Sequence, residues 1–83
     1  MGGFSFGQKM GSLLHRLPSG AEIRVSYSPD NQVRFDVYFE GLYFPYTNGQ
    51  GEAYWPYEDQ KAMIEKIKLE AEKLEAEGHA PWM

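Results

Sequence analysis

The tightest constraint on the fold is residues 21–40, where apolar and polar side chains alternate on both sides of one turn. Ala21, Ile23, Val25 and Tyr27 point one way and Glu22, Arg24 and Ser26 the other. Beyond the turn, Val33, Phe35, Val37 and Phe39 alternate with Arg34, Asp36, Tyr38 and Glu40. A period of two predicts half-buried strands. Pro29 suits the first central position of a type I turn, and Asn31 tolerates the left-handed conformation that closes a three-residue hairpin loop. Pairing Ser28 with Gln32 then sets Tyr27 opposite Val33, Val25 opposite Phe35 and Ile23 opposite Val37, all on one face. Arg24 falls opposite Asp36 on the other face, a favourable cross-strand charge pair. A slip of one residue would put every apolar side chain on the wrong face, so pattern and turn fix one register together.

Glu40-Gly41 reads as a second tight turn, with Gly41 supplying a positive φ. A two-residue loop sets Phe39 opposite Leu42, Val37 opposite Phe44 and Phe35 opposite Tyr46, and brings Tyr43 beside Tyr38 on the outer face. Pro45 has no N–H to donate, so this third strand is predicted to be one edge of the sheet and the 21–27 strand the other.

Helical spacing flanks the strands. Ser5-Phe6-Gly7-Gln8 has the form of a capping box, and Met10, Leu13, Leu14 and Leu17 make one stripe. Pro18 and Ser19-Gly20 would stop that helix, which is predicted over 6–16 and weakened by Gly7 and Gly11. After a loop at Thr47-Asn48-Gly49-Gln50-Gly51, Pro56 suits a first helical position, with Glu58 and Asp59 at the positive end of the helix dipole. Tyr57, Ile64, Ile67, Ala71 and Leu74 form the buried stripe, Met63 lies alongside, and Gly78 suits the position just past the helix end. The expected architecture is α+β in the order α-β-β-β-α: a three-stranded antiparallel meander, strand order 1-2-3, with both helices packed on its apolar face. One domain spans 1–83, with 1–4 and 79–83 as loose tails.

Composition says what can hold such a small domain together. There is no cysteine, and His15 and His79, the other strong zinc-ligand candidates, lie far apart in sequence. Disulfides are excluded and neither a metal nor another cofactor is expected. Aromatic burial remains, and 16% of the chain is aromatic. No apolar run reaches the length of a membrane span, and the first residues lack the basic-then-apolar form of a signal peptide. A cytoplasmic setting with no membrane partner is therefore expected. The net charge of −4 is unevenly spread: residues 1–56 carry four cations against five carboxylates, residues 57–83 four lysines against seven.

Catalytic patterns are weak. Neither histidine has evident triad partners. The carboxylates of the last helix are interleaved with lysines at i, i+4 and read as a solvated face. Asn48-Gly49-Gln50-Gly51 lacks the Gly-Lys-Ser/Thr ending of a phosphate loop, and Glu58 and Asp59 occupy the place where an anion would dock. The order α-β-β-β-α is shared with double-stranded RNA-binding domains, and a β-β-β-α stretch with small sheet domains of phage-type integrases. Both use basic clusters, whereas the start of the last helix here reads Tyr57-Glu58-Asp59-Gln60-Lys61, so no family is assigned.

Binding is the expected role, without enzyme activity. Arg24, Arg34, Tyr38 and Tyr43 on the outer sheet face make the first candidate surface, for a protein partner or a second copy of the chain in a homodimer. The plainer reading is a tyrosine pair and an Arg/Asp ladder that stabilise the sheet and nothing more. The second candidate is the acidic helix, with Glu58, Asp59, Glu65 and Glu72 presented to a basic, nucleic-acid-binding target. That would be an accessory regulator or inhibitor of the kind phages and mobile elements encode. Single-stranded nucleic acid stacking on the sheet face is the third, demoted by the net acidity. Leu69, with Ala62 and Ala76 at seven-residue spacing, marks a narrow apolar strip opposite the buried stripe. Trp82 is either tucked against the domain or free.

Overall fold

The computed structural model describes residues 11–47 and 53–83. Along the chain run β1 (Ser12–Arg16), β2 (Glu22–Tyr27), β3 (Gln32–Phe39), β4 (Leu42–Pro45) and β5 (Tyr54–Pro56), then a 3-10 turn (Tyr57–Asp59) and α1 (Gln60–Ala76). The class is α+β, with five antiparallel strands in one sheet and one helix among the described residues.

The central hairpin follows its alternation and its turn. Ile23 faces Val37, Arg24 faces Asp36, Val25 faces Phe35 and Tyr27 faces Val33. The Ser28 N–H donates to the Gln32 carbonyl at 2.9 Å, and Asn31 takes φ 61°. The next hairpin pairs Phe39 with Leu42, Tyr38 with Tyr43 and Val37 with Phe44. Glu40 at φ 50° and Gly41 at φ 89° form the left-handed pair that a two-residue hairpin loop needs.

The first predicted helix is overturned where it can be seen. Residues 12–16 are β1, antiparallel to β2, while residues 6–10 of that predicted helix lie outside the described residues, as do 1–4 of the predicted tail and Asn48 to Gly51 of the predicted loop. The helical spacing of Leu14 and Leu17 has another origin. A bulge between Leu13 and His15 lets Leu14 pack against the core, and Leu17 is buried in the following turn. Gly11, at φ 73°, runs so close to β2 that a Cβ would sit 2.3 Å from the Val25 carbonyl oxygen. With β1 outside it, β2 is an inner strand and not the predicted edge.

At the other edge, β4 pairs residues 36–39 of β3 and β5 pairs residues 32–34, so the two lie end to end along one side of β3. Pro45 ends the first ladder opposite Asp36, the Tyr46 N–H still donates to the Phe35 carbonyl at 2.9 Å, and the chain returns at Tyr54 opposite Arg34. Pro56 therefore closes β5 and does not open the helix.

α1 covers the apolar face. Ile67 and Ala71 are buried against Ile23, Val25, Val33, Phe35 and Val37, with Met63, Ile64, Leu74 and Trp55 packed around them. Gly78, at φ 74°, ends the helix: its N–H donates to the Glu75 carbonyl at 3.2 Å and the His79 N–H to the Leu74 carbonyl at 2.9 Å. The residues predicted as a loose C-terminal tail fold back, with Ala80 and Trp82 buried. The Trp82 ring lies 6.4 Å from Phe44, and its indole N–H donates to Glu75 at 2.7 Å.

Candidate interaction surface

Pairing in register stacks the outward side chains into rows. Arg16, Glu22, Tyr38 and Tyr43 form one row across β1 to β4; Leu13, Arg24, Asp36 and Pro45 form the next; Ser26, Arg34 and Tyr54 form the third, through β5. Arg24, Arg34, Tyr38 and Tyr43 are thus on one face, as expected from sequence. Tyr38 and Tyr43 pack with ring centroids 5.0 Å apart and planes inclined by 56°.

The electrostatics of this face differ from those of an ordinary solvated sheet. Its two carboxylates are buried, Glu22 at 3% exposure and Asp36 at 4%. Burial of a carboxylate is tolerable only where charge and hydrogen bonds compensate it. Glu22 is held by Arg24 at 2.7 Å and by Arg16 at 3.1 Å, one guanidinium on each oxygen. Asp36 accepts from Nε and Nη2 of Arg34 at 3.2 and 3.0 Å. Burial works to lower the Arg34 pKa, but the hydrogen bond and charge of Asp36, with Tyr54, outweigh it and hold the guanidinium above its usual value. Three guanidinium groups thus lie over two carboxylates, and three tyrosine rings border them.

Presentation is unequal among the residues singled out by sequence. Arg24 is committed inward: its side chain is 13% exposed, and it donates to the Gly11 carbonyl as well as to Glu22. Arg34, Tyr38 and Tyr43 are half-buried, while Arg16 and Tyr54 are exposed. Sequence reasoning missed these last two. The leucine spacing assigns Arg16 to a helix, and Tyr54-Trp55-Pro56 is too short a run to signal a strand by alternation. The proline that opens the loop after Arg16 was the available clue to β1.

The acidic residues do not form a single surface. Glu58 and Asp59 are exposed in the 3-10 turn, and Glu65 is exposed on α1 with Lys68 at 3.6 Å. Glu72 instead turns to β1, 2.9 Å from Nε2 of His15. Glu75 joins the β1–β2 loop to the C-terminal segment, accepting from the Ser19 backbone N–H and hydroxyl and from Trp82. Glu70 accepts from the Tyr46 hydroxyl. Leu69 stands exposed on the outward side of α1 beside Ala62 and Ala76. Among the described residues no helix is long and apolar enough to cross a membrane, and no group of three or more potential ligands could hold a metal.

No protein-family model, no curated protein and no solved structure matches this chain.

Proposed function

We propose that this chain is a non-enzymatic, cytoplasmic protein-interaction module whose working surface is the outer face of its sheet. The observation that carries the reading is the side-chain content of that face: Arg16, Tyr38 and Tyr43 stand in one row across the sheet and Arg34 and Tyr54 in another, with the Arg24–Asp36 row between them. Tyrosine and arginine are the residues that most often anchor protein interfaces, because each combines large contact area with directed hydrogen bonds. Their ordering cost is already met here by tyrosine stacking and by the carboxylates that clamp the guanidinium groups. Each arginine keeps donors beyond those its carboxylate takes. The complementary partner surface is one rich in acceptors, carboxylates or backbone carbonyls.

The acidic helix remains the alternative surface, but Glu70, Glu72 and Glu75 are already engaged with the sheet and the C-terminal segment. The distinguishing experiment is affinity capture from the native host with three baits: the natural chain, Arg16→Ala/Tyr54→Ala, and Glu58→Gln/Glu65→Gln. A partner lost with the first variant and retained by the second supports the sheet face. The opposite pattern transfers the function to the helix, and retention by both variants defeats both surfaces. Sizing of the pure chain shows whether the partner is a second copy.

A further inference from the structure

On the opposite side of the molecule a cleft opens between α1 and the strand edge where β4 ends. It has a volume of about 200 Å³ and is lined by Phe44, Tyr46 and Trp82, by Ile67 and Leu74, and by one charged side chain, Glu70. By liquid volume that is room for about six waters. An adjoining cleft of about 240 Å³ has Lys66, Met63 and Trp55 in its wall, and Tyr46 and Glu70 line both. The Tyr46–Glu70 hydrogen bond therefore stands between an aromatic compartment and a more polar one.

The chemistry of the aromatic compartment is one-sided. Tyr46 donates to Oε1 of Glu70 and leaves Oε2 without an ion pair or hydrogen bond among the described residues. Lys66, one helical turn away, forms no ion pair with it among those residues. Burial, then the bond to Glu70 and its charge, raises the Tyr46 pKa, so the phenol keeps its proton as donor. Aromatic rings present negative faces, and a cation within about 6 Å of a ring centroid is attracted by them. A carboxylate among three rings, in a chain of net charge −4, suits a weakly hydrated cation better than an anion or a neutral apolar group.

We infer that this cleft binds an alkylated ammonium group, with Glu70 as counter-ion and Phe44, Tyr46 and Trp82 as its aromatic walls. The site is separate from the sheet face, and neither reading needs the other. Two sources carry this chemistry: a free quaternary amine and a methylated lysine of a partner protein.

The test titrates the whole chain with choline and with 3,3-dimethylbutan-1-ol, its neutral carbon isostere, following the indole N–H resonances of Trp82 and Trp55. Choline is expected to give a saturable shift centred on Trp82, with an affinity about fivefold or more above that of the alcohol. Glu70→Gln keeps an acceptor for Tyr46 and removes the charge. It should weaken choline by about the same factor and leave the alcohol unchanged. Phe44→Leu keeps apolar volume and removes a ring, and should act in the same direction. Lys66→Gln should not weaken choline. A peptide bearing trimethyllysine that outcompetes choline assigns the site to a partner side chain, and the reverse order assigns it to a free amine. Equal affinity for choline and the alcohol, undiminished binding in folded Glu70→Gln or Phe44→Leu, or no saturable shift at tens of millimolar overturns the inference.

Discussion

The two faces of the sheet are built on different physics from the same five strands. The helix-covered face is closed by area: Ile23, Val25, Val33 and Phe35 are all but inaccessible beneath Ile67 and Ala71. The outer face is closed by charge, with Glu22 and Asp36 as buried as core residues because arginines satisfy them. Apolar packing tolerates small rearrangements and is non-directional. A buried carboxylate is intolerant of losing its partners, although the intact pair adds little net stability. The first face should therefore set how stable the domain is, and the second how rigidly it holds its tyrosines and arginines.

Substitutions on each face can break that contrast. Phe35→Ala should have the largest effect, costing about 3–5 kcal/mol in chemical denaturation, because it opens a cavity at the most enclosed aromatic position. Glu22→Ala removes the shared counter-ion of Arg16 and Arg24 and should cost about 2 kcal/mol. A cost near zero would mean the guanidinium groups relax into water and the outer face is not closed by charge.

The polar rim of the covered face is read by pH. Burial and the Glu70 carboxylate raise the Tyr46 pKa above its ordinary value of 10.0. Such a group contributes stability that is complete below its unfolded pKa and is lost as pH rises through the higher folded value. Denaturation midpoints should therefore fall above about pH 10, and Tyr46→Phe should flatten that decline while costing on the order of 1 kcal/mol at neutral pH. A decline of the same steepness in both proteins would place the sensitivity elsewhere. Outside both faces, Glu40→Gly relieves a left-handed non-glycine residue at φ 50° and should raise stability by about 0.5–1 kcal/mol, seen as a higher Tm. No gain there would show that the Glu40 side chain offsets its backbone cost.

Two hairpin loops show how legibility depends on flanks rather than on the loops themselves. Ser28-Pro29-Asp30-Asn31-Gln32 and Leu17-Pro18-Ser19-Gly20-Ala21 close with the same two hydrogen bonds, from first N–H to fifth carbonyl and from fourth N–H to first carbonyl. Each has a left-handed fourth residue, Asn31 at φ 61° and Gly20 at φ 98°. The first loop was readable because unbroken alternation runs into it from both sides. The second reads as a helix stop because Leu13, Leu14 and Leu17 fall at helical spacing, a pattern that strand β1 accommodates by a bulge that turns Leu14 inward. The position of Pro18 was the same signal as that of Pro29.

By itself, the sequence determined the central meander, its register, the edge at Pro45, the body and end of the last helix, and the meeting of Arg24, Arg34, Tyr38 and Tyr43 on one face. Those features follow from periods and turns that act over a few residues. Tertiary structure alone decided that residues 12–16 are a strand, that Tyr54 joins the sheet, that Trp82 is buried, and that the outer face hides its carboxylates. The strand at 12–16, Tyr54 and Trp82 depend on partners in other elements. Glu22 and Asp36, although they take arginines two residues along their own strands, are buried only once the flanking strands are in place. Local propensity carries no information about contacts of that kind.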